Sequence, residues 1–367
     1  MGLEEEIQKK RAEIHTDAYS MSVGEWLNLY ADQELDIHPE FQRFFRWTPI
    51  QKTKLIESIL LGIPIPPIFV SQRTDGVWDV VDGLQRLSTI FQFAGILKDE
   101  DKSVIAPLVL EGTKYLPSLQ GKVWESAANP KRALTQTQRL EIKRAKIDVK
   151  IVLKQSGESS KYELFQRLNT GGSPLSDQEL RNCILVMVNR EMYSWMRKLS
   201  SQSVFKECVA LTDKAIEEQY DLELVLRFLI FRTMKEPRLK AIGDVGEFLT
   251  DEMQELAKPN KLDLQEEEAA FSQTFAILNK AAGSNSFKRY DASKKKFMGG
   301  FLLSAYEVVA LGIGHNNGDD NSSKHNNLEI IKALWSNPQF ENYSGSGVRA
   351  SLRIPKLIPL GRKLFKP

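Results

Sequence analysis

One passage constrains the fold of this chain more than any other. The apolar run Val77-Trp78-Asp79-Val80-Val81 ends at Asp82-Gly83, and Leu84, Leu87, Phe91 and Ala94 then recur at helical spacing. A strand that turns straight into a helix requires a sheet with a helix laid on it, so this region is an α/β domain. The residues upstream agree. Ile68-Phe69-Val70 and the run from Val77 flank Thr74-Asp75-Gly76, which predicts a hairpin. Before that, Thr48-Pro49-Ile50-Gln51 offers an N-cap hydroxyl, a first-turn proline and a glutamine placed for a capping box. Leu55, Ile56, Ile59 and Leu60 then share a helix face, and Gly62 suits the left-handed residue that ends it.

Downstream, Ile147, Val149, Ile151 and Leu153 alternate with Asp148, Lys150 and Val152, which predicts one more strand. From Lys161 the patterns become helical. Ser176-Asp177-Gln178-Glu179 is a second capping box opening a helix through Val188, and residues 222–231, 266–278 and 297–311 read as further helices. Residues 315–327 are polar and rich in Gly and Asn, which predicts a surface loop. Residues 349–367 hold six basic residues and no acidic one, and read as a basic tail. The expected fold class is α+β, with an α/β domain over 1–155 and a mainly helical domain over 156–367. A length of 367 residues agrees with two domains.

Lys plus Arg number 50 against 48 Asp plus Glu, a net charge of +2, so any affinity for nucleic acid must come from local clusters. The two cysteines, Cys183 and Cys208, sit in apolar sequence, which fits a reducing compartment and no disulfide framework. The charged start MGLEEEIQKKRAEI does not read as a signal peptide, and no apolar stretch approaches the ~18 residues of a membrane span. A cytoplasmic location without membrane attachment is expected.

The strand-to-helix turn Asp82-Gly83-Leu84-Gln85-Arg86 is the sharpest chemical signal, because it sets a carboxylate, an amide and a guanidinium at a helix N-terminus. Free N–H groups there suit a phosphate, Arg86 could add a bidentate clamp, and Asp82 could hold a divalent cation bridging phosphate oxygens. A purely structural alternative stands beside this: Asp82 as N-cap, Gly83 as turn residue, Arg86 in an ion pair. A second cluster, residues 39–47, crowds Gln42, Arg43 and Arg46 among Phe41, Phe44, Phe45 and Trp47, which suits base stacking and phosphate contact or an ordinary loop. Asn169-Thr170-Gly171-Gly172 is a tight turn that could approach a ligand closely or simply cap a helix.

Taken together, Pro39-Glu40-Phe41-Gln42-Arg43, Leu55 through Pro66, Val81-Asp82-Gly83-Leu84-Gln85-Arg86-Leu87 and Phe165 through Gly172 resemble the N-terminal domain family of GmrSD-type modification-dependent restriction endonucleases. The resemblance covers at least residues 35–185. It implies a ParB/sulfiredoxin-like α/β domain followed by a helical one, with an Asp-Gly-Gln-Gln-Arg motif tied to nucleotide binding and hydrolysis or to nuclease function. Leu84 stands where the motif has its first glutamine, while Asp82, Gln85 and Arg86 match. This chain has no segment resembling the C-terminal HNH-type nuclease domain of full-length relatives, which implies a stand-alone form working with a separate nuclease subunit.

The resemblance then implies an Mg²⁺-dependent nucleoside triphosphatase in a restriction or anti-phage system. Asp82, Gln85 and Arg86 would be catalytic, with Asp82 on the metal, and Gln42, Arg43, Gly83, Asn169, Thr170, Gly171 and Gly172 would bind the nucleotide. DNA is the expected partner. Lys288, Arg289, Lys294, Lys295 and Lys296 interleave with aromatics, and Arg349 and Arg353 lie in the basic terminus, so these are the candidate phosphate contacts. A homodimer also fits. The rival readings are a non-enzymatic DNA-binding or assembly module, and a turn that itself nicks DNA as a ParB-like nuclease.

Overall fold

The structure, a computed structural model, describes residues 2–11, 15–37, 47–99, 101–156, 176–316, 326–345 and 347–366. The chain divides into two compact units, Met1–Pro174 and Leu175–Pro367.

The first unit contains α1 (Leu3–Arg11), β1 (Thr16–Ser22), α2 (Val23–Ala31), β2 (Leu35–Asp36), α3 (Pro49–Leu61), β3 (Ile68–Gln72), β4 (Trp78–Asp82), α4 (Leu84–Phe93), α5 (Gln136–Arg144) and β5 (Lys146–Val152). Its strands form one mixed sheet in the order β1-β5-β3-β4-β2. The pairs β1/β5 and β3/β4 are antiparallel, and β5/β3 and β4/β2 are parallel. The expected hairpin is β3–β4, and the expected late strand is β5. Ile147, Val149 and Ile151 of β5 are buried while Lys146, Asp148 and Lys150 are exposed, so its alternation records a sheet with one face on the core. Trp26, Ile56, Leu87, Phe91 and Phe93 fill that core, and Tyr30 stacks on Phe91 with ring centroids 4.4 Å apart.

Local chemistry places α3 as the sequence implies. Thr48 Oγ1 accepts from Gln51 N, Thr48 N donates to Gln51 Oε1 at 2.8 Å, and Gly62 closes the helix at φ 68°. Thr48→Ala is therefore expected to lower stability by about 1 kcal/mol, read as a shift of the urea midpoint at unchanged slope. An unshifted midpoint would show that the cap contributes nothing to this helix. At the opposite end of the β3–β4 ribbon, Arg73 pairs with Asp36 Oδ2 at 2.7 Å and also with Asp79, tying the two-residue β2 to β4. Burial opposes the Arg73 charge, but the two carboxylates outweigh it and raise its pKa.

Among the described residues the second unit is helical apart from one hairpin: α6 (Asp177–Val188), α7 (Arg190–Ser201), α8 (Ser203–Val209), α9 (Asp213–Glu217), α10 (Tyr220–Phe231), α11 (Glu236–Lys240), α12 (Val245–Leu256), α13 (Leu264–Ala281), β6 (Arg289–Asp291), β7 (Lys296–Met298), α14 (Leu303–Asn316), α15 (Asn327–Ala333), α16 (Pro338–Ser344) and α17 (Ala350–Leu364). The capping box at Ser176 and Glu179 opens α6 as expected. Cys183 and Cys208 are buried free thiols; burial pushes the first well above its usual range and the second up to about 11.

Two expectations for this unit are overturned. Phe297 does not begin a helix: it belongs to β7, Gly299 at φ 79° breaks the chain direction, and α14 starts only at Leu303. Nor are residues 349–367 a tail. Ala350–Leu364 form α17, whose Ile354, Leu357, Ile358 and Leu360 are buried against the rest of the unit. Gly361 lies so close to α14 that an added Cβ would overlap the Val308 carbonyl, and a Cβ at Gly312 would come within 2.6 Å of the Gly361 carbonyl oxygen.

Candidate functional site

Asp82 ends β4, Gly83 turns the chain and Leu84 starts α4, so the motif sits where a strand feeds a helix N-terminus. A register shift between Phe69 and Val70 pairs Phe69 with Asp82 and Val70 with Val80. This irregularity lets the strand end on Asp82 rather than continue its pleat. Gly83 adopts φ 100°, ψ 9°, and an added Cβ would overlap Ile68 Cδ1. Glycine is required there twice, once by the left-handed backbone and once by the close approach of β3.

The helix N-cap is Gly83 itself, with no side-chain cap. The alternative that Asp82 caps the helix is thereby overturned. The carboxylate instead pairs with Arg86 one helical turn on, Nη2 to Oδ2 at 2.8 Å. Arg86 Nη1 donates to the carbonyls of Pro66 at 2.6 Å and Pro67 at 3.1 Å. Its side chain is 11% exposed and that of Asp82 is 44% exposed. Arg86 thus works as a clamp between the proline run before β3 and the Asp82 carboxylate, and Asp82 Oδ1 is the oxygen not taken by that clamp. Gln85 Oε1 accepts from the backbone N–H of Trp47 at 3.4 Å, joining the turn to the residue that precedes the Thr48 cap of α3. Leu84 is partly buried against the core, so an apolar residue is accommodated at this motif position by packing.

Mg²⁺ is held by one or two carboxylates together with phosphate oxygens and water, and a single partly exposed carboxylate with a fixed orientation fits that requirement at Asp82. Among the described residues no cluster of three or more His, Cys, Asp or Glu side chains is arranged for a metal. Gln42, Arg43, Asn169, Thr170, Gly171 and Gly172 lie outside the described residues.

The candidate DNA contacts separate into two groups. Lys294, Lys295 and Lys296 are exposed at the turn and start of β7, Arg289 is exposed on β6, and Lys288 is half-buried at its root. Arg349 is exposed just ahead of α17. Arg353 is a correction. Its guanidinium holds the buried Glu307 carboxylate with two hydrogen bonds, Nε to Oε2 at 2.7 Å and Nη2 to Oε1 at 2.9 Å, and so cannot face a phosphate. Arg362, also in the expected tail, donates to the carbonyls of Phe231 and Met234.

Behind Glu307 runs a chain of buried charge. Arg181 reaches Glu223 at 2.7 Å, Arg227 reaches the other Glu223 oxygen at 2.7 Å, and Arg227 also lies 3.9 Å from Glu307. Burial opposes the Arg227 charge, and Glu223 and Glu307 overcome it. A cavity of about 1160 Å³ opens elsewhere in this unit, lined among others by Met234, Pro237, Glu252 and Lys261, and none of the candidate residues lines it. It is therefore not the site defined by the motif.

Residues 23–186 match the family model of the GmrSD restriction endonuclease, N-terminal domain, and this stretch, which contains the whole Asp82 turn, is a domain of that family. No curated protein and no solved structure matches the chain. Among the described residues no helix is long and apolar enough to cross a membrane.

Proposed function

We propose that this protein is a nucleotide-binding, nucleoside-triphosphate-hydrolysing component of a DNA restriction or anti-phage system, acting in the cytoplasm with a separately encoded nuclease subunit. The observation that carries the reading is the Asp82–Arg86 turn, an uncapped helix N-terminus beside a carboxylate held in place, within a GmrSD-type N-terminal domain. The N–H groups of the first α4 turn would face the phosphates. Asp82 would take Mg²⁺ through its second oxygen, Arg86 would keep that carboxylate oriented, and Gln85 would hydrogen-bond the nucleotide or its attacking water. Mg²⁺ would neutralise phosphate charge as it develops during transfer. Gln42, Arg43 and Asn169 to Gly172 would bind the nucleotide, and a homodimer is compatible with this reading.

A second reading is favoured by one observation. Arg86 is engaged by Pro66, Pro67 and Asp82, which is what a retired turn in a non-enzymatic DNA-binding or assembly module would also show. Calorimetry and thermal melts with ATP, GTP, CTP and UTP plus Mg²⁺ decide between them. A nucleotide present at about 100 times its Kd should add about 2.7 kcal/mol of stability, and the shift should depend on Mg²⁺. Neither heat nor a shift with any of the four at millimolar concentration would reject the nucleotide reading in favour of the module.

A further inference from the structure

We propose that the β6–β7 hairpin is a DNA-backbone grip, a two-stranded ribbon that presents Arg289, Lys294, Lys295 and Lys296 to the phosphates of a duplex. The inference rests on the restriction-system reading for its choice of polyanion and goes beyond it in assigning the contact surface. It begins with charge. Residues 288–296 hold five basic residues and one acid, net +4, in a chain whose total is +2, so everything outside this segment is net −2. The hairpin is thus a local concentration of positive charge.

The one acid does not cancel it. Asp291 accepts from Ser293 Oγ at 2.6 Å and from Lys294 N at 3.0 Å, bonds that form the turn and hold its pKa below the usual carboxylate range. Its one ion pair among the described residues is with Lys294, at 3.8 Å, while Lys296 stands across from it in the ladder. Arg289, Lys295 and Lys296 have no carboxylate within ion-pair distance among the described residues.

Register then gives the ribbon two unlike faces. Tyr290 pairs with Phe297, their rings 5.0 Å apart, with Lys332 of α15 over the Tyr290 ring at 5.7 Å. Because side chains alternate along a strand, Arg289, Lys296 and Met298 emerge on the opposite face together with the half-buried Asp291, which stands across from Lys296, and the two basic residues and Met298 are exposed. A two-stranded ribbon is marginal by itself. This one is rooted by the buried Phe287, whose ring lies 5.7 Å from Phe301 and 5.2 Å from Tyr306. A rooted ribbon with one aromatic and one cationic face matches what a groove admits: two strands fit the major groove, and flanking cations meet its phosphates. The C-terminal basic residues do not compete for the role as a unit, since Arg353 and Arg362 are spent inside the fold.

The test measures binding of the full chain to a fluorescein-labelled duplex by anisotropy, with EDTA, between about 50 and 200 mM salt. The variant Lys294→Ala/Lys295→Ala/Lys296→Ala is expected to bind at least about tenfold more weakly at the low end, with a log-log salt slope shallower by about 2.7, or 0.9 for each lost phosphate contact. A control losing the same charge elsewhere in the unit, Lys214→Ala/Lys240→Ala/Lys258→Ala, should keep the wild-type slope. Equal slopes for the hairpin variant and wild type would overturn the grip while leaving DNA binding and the nucleotide site untouched. The same loss in the control would overturn it in favour of diffuse attraction. Wild-type protein that ignores duplex but sediments with phosphatidylserine vesicles would overturn both the grip and the DNA assignment. The nucleotide-induced melting shift, measured on the same hairpin variant, should be unchanged, which keeps the two proposals separable.

Discussion

Arg353→Met is expected to remove about 3–5 kcal/mol from the unfolding free energy of the helical unit, because it strands the Glu307 carboxylate in a place water does not reach. The nearest remaining cation, Arg227 at 3.9 Å, is already committed to Glu223. Arg349→Met, only four residues earlier but exposed, should change stability by no more than about 0.5 kcal/mol. Urea unfolding of the two variants measures the contrast. Arg353→Met/Glu307→Leu should recover a large part of the loss, since replacing both partners of a buried pair by apolar groups is far milder than removing one. A single-variant loss below about 1 kcal/mol would mean that Glu307 finds water or Arg227 in compensation.

Gly83→Ala should cost about 2–5 kcal/mol, built from two separable parts. A side chain at φ 100° carries roughly 1–2 kcal/mol of left-handed strain. Displacing Ile68 from contact with the new methyl adds about 1–3 kcal/mol. Gly76 provides the internal reference. It lies at φ 93° in the β3–β4 turn with open space where its Cβ would be, so Gly76→Ala should show the strain alone. If the two variants melted together, the close approach of Ile68 would not be limiting. Under the nucleotide reading Gly83→Ala also loses the melting shift and Gly76→Ala keeps it, because only the former moves α4 relative to Asp82.

The elements legible in the sequence are those whose determinants are local. The boxes at Thr48 and Ser176, the Thr74-Asp75-Gly76 turn and the alternation through Ile151 each encode their geometry within a few residues. A third box, Thr135 with Gln138 opening α5, carries the same signature and was equally readable. β1 was not. Residues 16–20 are all exposed, so the strand lacks apolar alternation and is defined by pairing with β5, where Ser20 meets Asp148 128 residues later. In α17 the spacing of Ile354, Leu357, Ile358, Gly361 and Phe365 is helical, but Pro355, Pro359 and the basic residues mask it.

At the site, the Asp82 to Arg86 spacing of one helical turn is visible in the sequence and anticipates their ion pair. The acceptors at Pro66 and Pro67 are not visible, because backbone carbonyls leave no residue-type signal and their approach depends on the strand register. Arg353 was misassigned for a related reason. Its partner, Glu307, lies on another helix, and neither residue's neighbours announce that the two are buried together.

The near contact of Gly312 with Gly361 has a consequence for how the protein is made. α14 cannot reach its final packing until α17 has been synthesised and has cleared the ribosome, whereas every strand of the sheet is complete by Val152. The first unit can fold while translation continues, and the second must wait with its apolar helices uncovered. A premature stop between Leu175 and Ala350 would therefore release a chain with a complete sheet and an open hydrophobic flank, a substrate for chaperones and proteases rather than a shortened working protein.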